Sequence, residues 1–81
     1  MPLKSLGLAL KGQAAVTAAA SIYGDQWPAK RAEIRAKLEK ARRPDDRGIL
    51  PVAIRAATRA SDAHQDTIAM VFLAAALDST P

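Results

Sequence analysis

Apolar positions along this chain recur at helical spacing, and the residues between them mark off four segments. The first runs from about Leu3 to Tyr23 and stops at Gly24, which suits the left-handed backbone that closes many helices. Asp25 is placed to cap the second segment, with Pro28 in its first turn, where a missing N–H costs nothing. That segment continues to about Arg43 and gives way to Pro44-Asp45-Asp46-Arg47-Gly48, a run of turn-forming residues. A third begins near Leu50-Pro51 and reaches about Ser61. Asp62-Ala63-His64-Gln65 has capping-box spacing, which predicts a fourth helix from residue 63 to about Asp78. Nothing between the third and fourth is a true breaker, so one bent helix is the alternative. No run of alternating β-branched residues signals a strand.

The faces of these segments differ. In the second, Trp27, Ile34, Leu38 and Ala41 fall within one narrow arc, and the other positions are charged or alanine. Such a helix touches its domain along a single seam. Glu33–Lys37 and Glu39–Arg43 are i,i+4 pairs in the favourable order. In the third segment Leu50, Ala53, Ile54, Ala57 and Ala60 line one side, with Arg55 and Arg59 a turn apart on the other. The fourth, from Thr67 to Leu77, is apolar all round and must be surrounded by its own domain or by another chain. The first also lacks a polar face: Leu3, Leu6 and Leu10 point one way, and Leu8, Ala15 and Ala19 another. Its small residues, Gly7, Gly12, Ala14, Ala15, Ala18 and Ala19, suit close helix packing. Trp27, next to Pro28 and near Tyr23, reads as a core anchor between helices.

Composition narrows this to one small all-α domain spanning residues 1–81. Of the 49% apolar share, 19 residues are alanine, the best helix former, so the core is built from close, Ala-lined contacts. With no cysteine and a single histidine, disulfide frameworks, thiolate metal sites and Cys nucleophiles are excluded. The early apolar stretch is interrupted at Lys11-Gly12-Gln13, too soon for a signal peptide, and no apolar run approaches a membrane span. A cytoplasmic protein is expected. The Ala- and Arg-heavy usage, with little Lys or Asn, suits the GC-rich coding of a bacterium or its phage.

Charge is unevenly spread. Residues 30–59 hold ten Lys or Arg against four acidic residues, whereas residues 60–81 hold Asp62, Asp66 and Asp78 and no Lys or Arg. One consequence is a basic edge on the second helix, Arg31, Arg35, Lys37 and Arg42, facing an acidic partner. The alternative is nucleic-acid binding through phosphates, with Lys40, Arg43, Arg55 and Arg59 adding to the same surface. That alternative requires the second and third helices to place these side chains on one continuous surface, and no aromatic interleaves with them. A helix-turn-helix is disfavoured because the segment in the recognition position is the apolar one. His64 between Asp62 and Asp66 supplies the letters of a catalytic set, but one helix turn offers neither a pocket nor an oxyanion hole.

The expectation is therefore a compact four-helix domain with the apolar C-terminal helix at its centre and the second helix outermost. The function expected is that of a non-enzymatic interaction module, without cofactor or metal. It is a small regulator, inhibitor or assembly subunit that docks on a larger acidic protein or on itself as a homo-oligomer.

Overall fold

The computed structural model describes the backbone of residues 3–78 and the side chains of residues 12–78. Helix α1 (Leu3–Tyr23) passes through a single 3-10 turn (Gly24–Gln26) directly into α2 (Trp27–Lys40); α3 (Leu50–Asp62) and α4 (Asp66–Leu77) follow. No strand occurs among the described residues. The expected turn at Gly24 bends the helical path without interrupting it, so the four segments amount to three separated helical units, the first being α1 joined to α2. Gly24 takes φ +54°, a left-handed value a side chain would resist. Asp25 lies exposed inside the 3-10 turn, and no side chain caps α2. Tyr23 stacks on Trp27 across the turn, with ring centroids 5.9 Å apart.

Helix α2 ends at Lys40, three residues before the expected Arg43. Pro44 disfavours helical backbone at the residue before it, which ends the helix early. The Arg43 N–H is instead taken by the Asp46 carboxylate at 2.8 Å. Arg43 therefore leaves the helix face it would have shared with Glu39, and Glu39 meets Arg42 instead, at 3.5 Å.

Helices α3 and α4 are separate, and the break between them is made by backbone geometry. His64 adopts φ +61°. Its N–H bonds the Ser61 carbonyl at 2.9 Å, and the Gln65 N–H bonds the Ala60 carbonyl at 2.8 Å. These two bonds are the Schellman pattern that closes a helix, with histidine where glycine is usual. Asp62 is accordingly the last residue of α3, and the expected capping box does not form: no side chain caps α4, which starts at Asp66.

Helix α4 lies at the centre, packed most extensively on α3 and α1 and less so on α2. The core gathers Ala15 and Ala19 of α1, Trp27, Ile34 and Leu38 of α2, Ile49 and Val52–Ala53 near the start of α3, and Val71, Ala74 and Ala75 of α4. Ala19, Ala53, Ala74 and Ala75 are wholly buried, so the helices meet through residues that add almost no side-chain bulk. Gly12 serves the same end, because a Cβ there would collide with the Leu77 side chain of α4. In α3 the buried stripe is Val52, Ala53, Ala57 and Ala60; Ile54, expected inside, is exposed. Ala41 is likewise exposed, because it follows the end of α2. The expected faces of Leu3, Leu6, Leu8 and Leu10, and the close packing at Gly7, fall outside the described side chains. No helix among the described residues is long and apolar enough to cross a membrane.

The left-handed histidine gives a test of the break. Left-handed backbone costs a side-chain-bearing residue roughly 1–2 kcal/mol, whereas glycine loses roughly 0.5–1 kcal/mol of additional chain entropy on folding. His64→Gly is expected to stabilise the protein by about 0.5–1 kcal/mol, and His64→Ala to leave stability nearly unchanged. Urea midpoints of the three proteins check this; a destabilised glycine variant would contradict it.

Candidate functional site

The polar chemistry of the molecule begins at the C-terminal end of α4. Asp78 is buried there and its Oδ2 accepts two hydrogen bonds from α2: one from Trp27 Nε1 at 2.8 Å and one from Arg31 at 2.8 Å. The side chains of Arg31 and Asp78 are only 11% and 6% exposed, so this ion pair is largely cut off from water. One turn further along α2, Arg35 donates to the Ala75 carbonyl at 2.8 Å, and approaches those of Ala76 and Asp78 at 3.5 Å. These carbonyls have no intrahelical partner at a helix end, and a cation there also suits the helix dipole. Helix α4 carries no basic residue in its own last turn. Helix α2 supplies two.

This corrects the docking edge expected from the sequence. Arg31 is buried and Arg35 half-buried: Arg31 meets the Asp78 carboxylate and Arg35 the backbone carbonyls at the end of the chain's own fourth helix. Lys37 remains on the surface with a long contact to Glu33 at 3.8 Å, and Arg42 rests against Glu39. Exposed pairs of this kind contribute about 0–1 kcal/mol. The seam of α2 is Trp27, Arg31, Ile34 and Leu38, all buried.

A second polar cluster fixes the turn between α2 and α3. The Asp46 N–H bonds the Arg43 carbonyl at 3.0 Å, and its carboxylate reaches back to the Arg43 N–H. The same carboxylate takes both terminal nitrogens of Arg55 on α3, at 2.8 and 2.7 Å. The Arg55 guanidinium and the Arg43 N–H hold the Asp46 carboxyl well below the usual carboxylate range, and Asp46 in turn raises Arg55. Beside this cluster Arg43, Arg55 and Arg59 line a cleft of about 150 Å³ whose apolar wall is Ala41, Val52 and Ala56. Three of the four residues of the nucleic-acid alternative thus come together. Lys40, the fourth, is exposed at the end of α2 outside the cleft lining.

A groove of about 250 Å³, larger than this cleft, lies between α2 and the N-terminal half of α4. Tyr23, Ile34, Ile68, Val71 and Phe72 give it an apolar surface; Lys30, Lys37 and Thr67 complete it. Ile68 is 46% exposed, so α4 is not fully covered within this chain. Lys30 lies over the Tyr23 ring, 5.9 Å from its centre.

His64, Asp62 and Asp66 are exposed around the turn between α3 and α4 and line neither this groove nor the cleft at the α2–α3 turn. Among the described residues, no three His, Cys, Asp or Glu side chains gather as a metal site. The chain matches no family model, no curated protein and no solved structure. The functional reading therefore rests on this geometry alone.

The sequence reading missed Asp78 and Asp46. Both were visible as carboxylates beside an arginine-rich helix, but their partners lie 47 and 9 residues away. Helical periodicity carries no information at those separations.

Two predictions concern these clusters. Asp78→Ala strands a buried guanidinium and the Trp27 N–H, and is expected to cost about 3–5 kcal/mol. Asp78→Asn keeps an acceptor for Trp27 and should fall between that variant and the parent. Denaturant unfolding followed by Trp27 fluorescence reads both; a loss below about 1 kcal/mol for the alanine variant would refute the role.

For Asp46 the sign follows from its lowered pKa. The unfolded carboxyl takes up a proton near pH 3.9, the folded one only in stronger acid. Its contribution is present above the unfolded value and lost as pH falls through the folded one. The stability gap between the parent and Asp46→Asn is expected to narrow from about pH 5 to about pH 2. A constant gap in urea midpoints over that range would count against it.

Proposed function

We propose that this chain is a non-enzymatic interaction module whose docking site is the groove between α2 and the N-terminal half of α4. Its partner presents apolar side chains flanked by carboxylates, as on an acidic amphipathic helix. The observation that carries the reading is the pairing of exposed Ile68 and half-covered Phe72 with Lys30 and Lys37 along one open groove. Apolar side chains of the partner would fill the floor, and helices commonly bind such grooves through residues at i, i+3 or i+4, and i+7. Lys30 and Lys37 stand two turns apart on α2, each in a long contact with the exposed Glu33 between them at 3.6 and 3.8 Å, weak pairs that a partner's carboxylates would replace. Charge of this kind speeds encounter and selects the partner more than it adds affinity.

Nucleic-acid binding over a broad basic surface is the weaker reading. Arg31 and Arg35 are committed to α4, which removes two members of the stripe that a phosphate backbone would follow, and Asp46 offsets the charge of Arg55.

The test uses two synthetic helical peptides with the same leucine positions, one flanked by glutamates and one by lysines, titrated into the isotope-labelled protein. The acidic peptide is expected to bind saturably and shift the methyl signals of Ile68 and Val71. Ile68→Glu or the double variant Lys30→Glu, Lys37→Glu should weaken it about tenfold or more. Equal binding of the lysine peptide, or shifts confined to other surfaces, would overturn the proposal. So would a concentration-dependent dimer in sedimentation that Ile68→Glu abolishes, because the groove's occupant would then be a second copy of this chain.

A further inference from the structure

The cleft at the α2–α3 turn is separate from the groove, and its chemistry is different. We infer that it is a binding site for a phosphate group with three unesterified oxygens, either free phosphate or a phosphate monoester. Arginine supplies planar, directed donors that match phosphate oxygens, and three arginines from two parts of the chain line this one cleft. Arg55 and Arg59 are one helical turn apart on α3 and share a face; Arg43 approaches from the turn that follows α2.

The three differ in how they are held, and the difference favours a site over a random basic patch. Asp46 occupies two of the five Arg55 donors and fixes the orientation of the guanidinium, which leaves three N–H groups unused by that pair. The same carboxylate pins the Arg43 backbone, which sets where the Arg43 side chain departs. Among the described residues, the guanidiniums of Arg43 and Arg59 have no hydrogen-bond or ion-pair partner. One arginine is thus oriented in advance, and two exposed ones are free to close on a ligand.

The number of donor groups and the space select the ligand class. A phosphate monoester offers three terminal oxygens, one for each arginine, whereas a diester offers two and must continue as a chain on both sides. About 150 Å³ walled by Ala41, Val52 and Ala56 suits one compact group. Asp46 and the exposed Asp45 lower the net positive charge nearby, so the cleft offers an anion directed hydrogen bonds more than bulk charge. A nucleic-acid backbone, bound through bulk charge, is the poorer fit.

The experiment titrates inorganic phosphate, phenyl phosphate and dimethyl phosphate into the protein at matched ionic strength in chloride, following backbone amide signals. Phosphate and phenyl phosphate are expected to bind saturably and shift residues 43, 46, 55 and 59. Dimethyl phosphate should bind at least about tenfold more weakly. Arg43→Ala and Arg59→Ala remove exposed side chains outside the core and the Asp46–Arg55 pair. Each should weaken phosphate about tenfold while leaving the urea midpoint in chloride unchanged. Shifts no larger than those in chloride would overturn the inference. Equal affinity for dimethyl phosphate, or full retention in both variants, would do the same. Tight, steeply salt-dependent binding of a single-stranded oligonucleotide without terminal phosphates would return the surface to the nucleic-acid reading.

Discussion

One carboxylate holds the ends of this fold together. Asp78 receives Trp27 and Arg31 at the point where α4 finishes, and Arg35 covers the carbonyls that α4 leaves exposed. An apolar helix of 12 residues with no cap at its N-terminus has little of its own to terminate it. Its end is defined from outside, by three side chains on a single stripe of α2 spaced i, i+4 and i+8. The stacking of Tyr23 on Trp27 carries the same contact back across the 3-10 turn to α1. The node therefore ties α1, α2 and α4 at one place, where a core made largely of alanine supplies little area per contact. Burying an ion pair is seldom a net gain over an apolar substitute, but losing one partner is costly. Here the pair specifies which end of α4 meets which part of α2, and alanine contacts alone are too uniform to select that register.

Arginine and lysine are used differently along the chain. The cations drawn inward or into fixed pairs are all arginines, Arg31, Arg35 and Arg55; Arg42, Arg43, Arg47 and Arg59 stay exposed with Lys37 and Lys40, and Lys30 is half-buried at the groove. Chemistry accounts for the division, since a guanidinium is weakly hydrated and directs several donors at once, whereas an ammonium is strongly hydrated and mobile. The uneven charge seen in the sequence thus has an internal purpose. Part of the basic middle segment is matched to the acidic end of the same molecule, and only the remainder is available to anything else.

That division also marks the limit of what the sequence discloses. Helical class, the central place of α4, the burial of Trp27 and the alanine-lined core all follow from local spacing and composition, and they are legible. The separation of α3 from α4 is legible too, but the way it is made is not, because the left-handed residue at His64 lacks the glycine signature and Asp62 imitates a cap it does not provide. Arg31 was misplaced for a related reason. On a helical wheel it sits within the seam of Trp27, Ile34 and Leu38, but its charge argued for solvent, and its partner stands 47 residues away. A buried arginine is readable only when its carboxylate is known.

The arrangement of ties and gaps explains why the groove lies where it does. The polar contacts between α2 and α4 gather at residues 75–78 of α4, whereas the groove is lined by residues 67–72. No comparable side-chain tie draws α2 onto the N-terminal half of α4 among the described residues. Helix α4 remains apolar there as elsewhere, so Ile68 and Phe72 are left uncovered or half covered. Covering them within the chain would need a bulkier α2 seam than Ile34 and Leu38 provide, and α2 spends the neighbouring positions on Lys30 and Lys37. The fold secures one end of its central helix with charge and leaves the other end exposed beside cations. A surface of that composition is what the proposed acidic amphipathic segment would cover.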